Sequence, residues 1–336
     1  MHRELLTAQS RRRYPNNSVT SPITISGYTF LKDGLEFVYR GFSAFKSIEN
    51  FRLGIEDTVL WSAFAESNVI EVFLYTPVKD WGTEAWDIPD IETIRSFLRQ
   101  VPFYVNLCLL TDDDSSKIQP AIDIVNQLAV DKFPNLILRI GNEPLTNKTI
   151  NCEALRSACE ASGYLYTSGI YEDDTKFFGQ FWVDHSSRDN EWPRKAKNLI
   201  DAYNGGGPNN PSEPALKIPC IENEPIRPDE DGYNENDFYA YAAICRSCGS
   251  GGTFHYNGGK FNTLPTDRDN PCKDAFLRGL NIFSSSSRLY RRIDEHGNTL
   301  RTYIFGNNMI RIRPVTLTAP ESGWTSLDEF GICWSK

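Results

Sequence analysis

The sequence predicts an α/β fold, a (β/α)8 TIM barrel with an N-terminal β-hairpin and a short C-terminal β extension, and three observations carry that prediction. From residue 38 onward, apolar strand-like runs alternate with segments of helical periodicity, and the strand-like runs number eight. The clearest of them are almost continuously apolar, as strands covered on both faces must be. Strands separated by helices pair in parallel through crossovers, leaving an open doubly wound sheet or a closed barrel, and eight units favour the barrel. No GxGxxG follows the first strand, and the glycine-rich run at 249–253 lacks the lysine of a phosphate loop, so nucleotide-binding versions of the open sheet lose ground.

Each element has its own signal. Residues 23–40 alternate around Lys32-Asp33-Gly34, and Asp-Gly between two strand-like runs marks a hairpin. The run VYRGFSAF supplies strand one, and Ile55, Val59, Ala63 and Phe64 lie at helical spacing in a helix over 48–66. VIEVFLY (69–75) is strand two. Asp90 caps a helix whose apolar face is Ile91, Ile94, Phe97, Leu98 and Val101. FYVNLCLL is strand three, Asp114 opens a helix with Ile118, Ile122 and Val125, and NLILRIG (135–141) is strand four. The second half repeats the rhythm: a helix near 152–161, YLYTSGIY, FFGQFWVDHS, a helix near 193–203, a Gly/Pro/Asn loop over 204–214, KIPCIENEP, a helix near 236–246, GGTFHY and a helix at 272–283. We divide the chain into a polar tail (1–22), the barrel (23–285) and a β extension packed on it (286–336), its short strands separated by His296-Gly297-Asn298 and Gly306-Asn307-Asn308 turns.

Composition narrows the partners. At 336 residues with 40% hydrophobic content the chain holds one large core, and its formal charge of -9 repels phosphate backbones, which argues against nucleic acid and for a neutral, sugar-like ligand. No apolar h-region and no run of ~18 apolar residues is present, so no signal peptide, membrane span or membrane partner is expected, and a cytoplasmic or virion-associated location is favoured over classical secretion. Arg11, Arg12 and Arg13 read as a solvated tail. The eight cysteines are too sparse for a disulfide scaffold and are expected to be reduced. Cys245 and Cys248 form a CxxC without a second pair or a suitably spaced histidine, so no metal and no cofactor is assigned. The sequons at Asn16 and Asn147 carry no weight without secretion.

Active sites of such barrels lie at the C-terminal ends of the strands. Strand four ends in Asn142-Glu143-Pro144 and strand seven in Glu222-Asn223-Glu224-Pro225. Two carboxylates facing one another across a cleft are what glycoside hydrolysis needs: one protonates the leaving oxygen, the other attacks the anomeric carbon or activates water. Glu222 and Glu224 lie two apart and share a side of an extended strand. Glu224 is preferred as nearer the strand end, with Glu222 left as a supporting or substrate-contacting group.

In these motifs the chain resembles the clan A, cellulase-like glycoside hydrolases. Their acid/base follows an asparagine at the end of strand four, as Glu143 follows Asn142, and their nucleophile ends strand seven, as Glu224 would. The resemblance implies a retaining hydrolase of an oligo- or polysaccharide in which Asn142 contacts the sugar 2-hydroxyl. Two departures stand out. Where many relatives carry a tryptophan at the end of strand eight, this chain has Phe254-His255-Tyr256, and where they carry His or Tyr on strand six, it has Asp184-His185.

His185, His255, Tyr171, Trp182 and Arg40 complete the candidate substrate contacts. Trp81, Trp86 and Trp192 are further aromatic faces for a sugar, while Arg40 and Arg139 are candidates to orient carboxylates. The main rival is a catalytically inactive carbohydrate-binding or structural barrel, part of a viral or other assembly. A metal-dependent barrel hydrolase ranks last, because the chain has four histidines.

Overall fold

The computed structural model describes residues 19–335 apart from 28, 56, 78–84, 113, 143–151, 170–178, 185–217, 223–233, 249, 282–287, 294–298, 306–307, 313–324 and 327–331. The chain opens with a three-stranded antiparallel sheet, β1 (Thr24–Ser26), β2 (Thr29–Lys32) and β3 (Leu35–Glu36). Asp33 and Gly34 join β2 to β3 with φ of 53° and 78°, the two left-handed residues of a tight hairpin, which is why the Asp-Gly pair was a usable signal.

The eight parallel barrel strands follow: β4 (Tyr39–Ser43), β5 (Val69–Phe73), β6 (Tyr104–Leu110), β7 (Leu136–Gly141), β8 (Leu165–Gly169), β9 (Trp182–Asp184), β10 (Cys220–Glu222) and β11 (Gly251–Phe254). They are barrel strands one to eight, in the order β8-β7-β6-β5-β4-β11-β10-β9. The remaining gap, between β8 and β9, is bridged just before β9. Gly179 pairs with Thr167, and Gln180 N–H donates to the Tyr166 carbonyl at 2.9 Å. Gly179 sits at φ 134°, and a Cβ there would lie 2.8 Å from Thr167 Cα, so only glycine lets the chain approach this closely.

Helices cover the outside: α1 (Ser47–Arg52), α2 (Thr58–Ala63), α3 (Ile91–Gln100), α4 (Ile118–Asp131), α5 (Glu153–Ser162), α6 (Glu235–Cys248) and α7 (Asp269–Leu280). The cap signals hold: Asp90 accepts from Thr93 N–H, and Asp114 accepts from Ser116 N–H in a short 3-10 turn that leads into α4. The single helix expected over 48–66 is instead two. Gly54, at φ 72°, ends α1, and the chain doubles back so that Asp57 accepts from Ser47 Oγ and Asn50 Nδ2. Ile55 and Val59 therefore stay 50% and 63% exposed, Leu60 and Trp61 enter the core in their place, and Phe64 is buried as the spacing predicts. The helix expected near 193–203 lies outside the described residues, as do Arg11–Arg13 and the sequons at Asn16 and Asn147. Residues from 288 onward form a separate five-stranded antiparallel sheet in the order β12-β13-β14-β16-β15: β12 (Arg288–Ile293), β13 (Thr299–Phe305), β14 (Asn308–Ile312), β15 (Thr325–Ser326) and β16 (Ile332–Ser335).

The barrel interior is filled from below. Ile23, Phe30 and Phe37 of the N-terminal segment pack into one apolar cluster with Tyr39, Tyr104, Phe181 and Ile221. Phe30 meets Phe181 edge-on at 5.3 Å between centroids, and Phe37 meets Tyr104 at 5.2 Å. The hairpin thus closes the N-terminal end of the barrel, and we expect Phe30→Ala to cost about 3–5 kcal/mol in urea unfolding. Cys108, Cys152 and Cys159 are free, buried thiols. Burial pushes the thiol of Cys108 up to about 11 and that of Cys159 up to about 12. Both should therefore escape iodoacetamide in the native protein at pH 8 and react once urea unfolds it, as peptide mass mapping will show.

Candidate active site

Strand alternation assigns each residue a side. On β7, Ile137 belongs to the interior cluster and Arg139 reaches into the barrel. On β11, Thr253 faces inward and Gly252 faces the helices, where an added Cβ would meet Cys245 Sγ and Phe276 at 3.5 Å.

Above the apolar floor lies a polar layer. Glu71 on β5 accepts from Tyr39 OH at 3.0 Å, from Thr253 Oγ1 at 2.6 Å and from Arg139 Nη1 at 3.2 Å, and Asn106 Nδ2 donates to Tyr39 OH at 2.9 Å. Glu71 and Arg139 are fully buried. Burial pushes the Glu71 carboxyl up, while the Arg139 guanidinium and the Thr253 and Tyr39 hydroxyls pull it back. Burial, followed by the Glu71 charge, raises the Tyr39 phenol. Gly41 makes room for this layer, because a Cβ there would sit 2.6 Å from Thr253 Oγ1 and 2.7 Å from the Tyr39 ring. Sequence reasoning named Arg139 but missed Glu71, Tyr39 and Thr253. Glu71 alone was visible, as one charge inside the apolar run VIEVFLY.

The next layer stands at the C-terminal ends of the strands. Ser43 Oγ and His255 Nδ1 share a 2.7 Å hydrogen bond, and both residues are fully buried. Phe45 stacks on Phe73 at 4.0 Å and lies 5.5 Å from the His255 ring. After β5 and β6, Tyr75 OH donates to Asp112 Oδ1 at 2.6 Å, and Lys117, 5.4 Å from the Tyr75 ring centroid, pairs with Asp87 at 2.6 Å, while Trp86 is 6% exposed. Burial, then Asp112, raises the Tyr75 phenol. Asn142, 3% exposed, directly follows β7, its N–H donating to the Leu110 carbonyl at 2.8 Å.

Three candidate contacts lie away from this mouth. Arg40 is the second residue of β4, at the opposite end of the barrel. Its backbone N–H meets Asn68 just ahead of β5, and its Nη1 donates to Asn281 at the end of α7. Trp182 begins β9 and packs with the helix-side core, because its neighbour Val183 takes the interior position. Glu222 pairs in register with Gly252 and so shares its helix-facing side, with Cys220, while Ile221 points inward. On β4, β9 and β10 the even-numbered positions face the helices whatever their polarity, whereas on β6 Tyr104 and Asn106 face inward, and that parity was not readable before the register was known. Glu143, Glu224, Tyr171, His185, Trp81 and Trp192 lie outside the described residues. The structure thus brings Asn142, His255 and Arg139 to the barrel interior and its mouth, and leaves Arg40, Trp182 and Glu222 outside it.

The buried ion pair sets a test of its own. Removing one partner strands the other charge, so Arg139→Met should cost about 3–5 kcal/mol, and Glu71→Met/Arg139→Met should recover at least about half of that in chemical unfolding.

No protein-family model matches the sequence, and no curated protein sequence is detectably similar to it. Solved structures are similar in fold. A glycoside hydrolase superposes with a TM-score of 0.58 at 13% identity, covering 87% of this chain and 83% of that one. A glycoside hydrolase of family 5 from Bacteroides vulgatus gives 0.55 at 13% identity, covering 87% and 82%. The β-mannanase of the blue mussel Mytilus edulis gives 0.50 at 13% identity, covering 79% and 97%. The chain therefore has the (β/α)8 barrel fold found in these glycoside hydrolases.

Proposed function

We propose that the protein is a retaining glycoside hydrolase acting on an oligo- or polysaccharide, with Glu143 as acid/base and Glu224 as nucleophile. One observation carries the reading. The interior face of β7 runs Ile137, Arg139, Gly141 toward the mouth, and Glu143 is the residue that would continue that alternation in sequence. Asn142 beside it supplies an amide for the sugar 2-hydroxyl, and Tyr171, His185 and His255 are the other proposed contacts. In the first step Glu143 gives its proton to the departing glycosidic oxygen while the Glu224 carboxylate attacks the anomeric carbon, forming a glycosyl ester. In the second, Glu143 takes a proton from water, whose oxygen displaces Glu224 and frees the sugar.

Strand seven imposes a condition. Glu222 faces the helices, and strict alternation would send Glu224 the same way, so the assignment requires extended geometry to stop after Glu222, where β10 itself ends. The second reading, a carbohydrate-binding barrel without turnover, draws on the fully buried His255 at the strand-eight position where a sugar platform is expected.

Reducing-end release from soluble β-1,4-mannan, β-1,4-glucan and xylan tests both. Glu143→Gln and Glu224→Gln should each lower kcat by about 10²–10⁴-fold, while Glu222→Gln keeps turnover. Full activity in either of the first two variants would refute its assignment, and glycan binding without turnover by the wild type would establish the second reading.

A further inference from the structure

Beside the mouth, the segments that follow barrel strands one and eight enclose a depression of about 320 Å³. Phe45 N–H donates to the Gly259 carbonyl at 3.0 Å, which ties these segments together at the rim next to Ser43 and His255.

The floor of the depression is polar and fixed. Asp57 accepts from Ser47 Oγ, Asn50 Nδ2 and Asn262 Nδ2 at 2.7–2.9 Å, and Asn262 Oδ1 accepts from Lys46 N–H at 3.0 Å. Asn262 holds this arrangement from a left-handed backbone at φ 56°, a conformation that non-glycine residues adopt sparingly and that the three hydrogen bonds of its side chain maintain. The rim is apolar and wet: Ile55 is 50% exposed, Val59 63%, Phe261 42% and Leu264 49%. Large apolar side chains gathered in water around one concavity mark a binding surface.

The chemistry selects the occupant. A wholly apolar ligand would cover the amide and carboxylate floor without replacing its water. A charged ligand of either sign meets a like charge, because Lys46 and Asp57 both line the site. A pyranose satisfies both parts, with a C–H face for the Phe261 ring and hydroxyls for the amides. We infer that this depression is a second sugar-binding site, taking a neutral pyranose unit of the glycan that the barrel mouth acts on. The identity of that glycan rests on the glycosidase reading, but the site itself does not.

The test is binding of mannohexaose and cellohexaose to full-length protein carrying Glu143→Gln, by calorimetry. Phe261→Ala and Val59→Asp change exposed side chains and leave the fold intact, which circular dichroism checks. Each should weaken the hexasaccharide that binds by about three- to tenfold, while hydrolysis of 4-nitrophenyl β-mannoside or β-glucoside by Phe261→Ala in the otherwise wild-type chain is unchanged. Hexasaccharide affinity unaltered in both variants, or no hexasaccharide binding at all, overturns the proposal. Loss of binding in the variants of a protein that hydrolyses nothing keeps this site and removes the glycosidase reading; normal hydrolysis with unaltered binding does the reverse.

Discussion

The Glu71 carboxylate inside the barrel is the constraint around which the rest is arranged. It draws hydrogen bonds from barrel strands one, four and eight, through Tyr39, Arg139 and Thr253. A buried charge is costly unless paired and hydrogen-bonded, so the sequence around it must supply those partners together. That explains the space left at Gly41, the amide of Asn106 behind Tyr39, and the full burial of Asn106 and Thr253 in this layer. The pair ties barrel strand two to strand four across strand three and gives the mouth a rigid floor.

Below this layer the barrel is sealed by apolar residues from the N-terminal hairpin, and above it the Ser43–His255 pair and the Phe45–Phe73 stack finish the strand ends. The order is apolar plug, ion pair, aromatic and polar mouth. Chemistry at the mouth is thereby supported from beneath by groups that do not need to move. The closure between barrel strands five and six depends on Gly179, where only the missing side chain permits contact with Thr167.

The fold was legible in the sequence because each of its devices is local. Eight strand-like runs, Asp33-Gly34, and the caps Asp90 and Asp114 each announce themselves within a few residues. What the sequence hid was non-local. Arg40, Trp182 and Glu222 looked like site residues by type, yet the side each one faces depends on register with a neighbouring strand far away in the chain. The partners of Glu71 come from three strands and share no spacing. The break between α1 and α2 was hidden by a periodicity that continues across Gly54, whereas the hydrogen bonds that favour the break come from Asp57 and, after strand eight, Asn262.

Retaining hydrolysis requires two carboxylates to meet above the Glu71–Arg139 floor. The most direct measurement is the separation of the Glu143 and Glu224 carboxyl groups in a crystal structure of the protein with an oligosaccharide bound. A distance of about 5–5.5 Å across the anomeric carbon is the predicted result for a retaining enzyme, and Glu224 pointing with Glu222 toward the helices would contradict it.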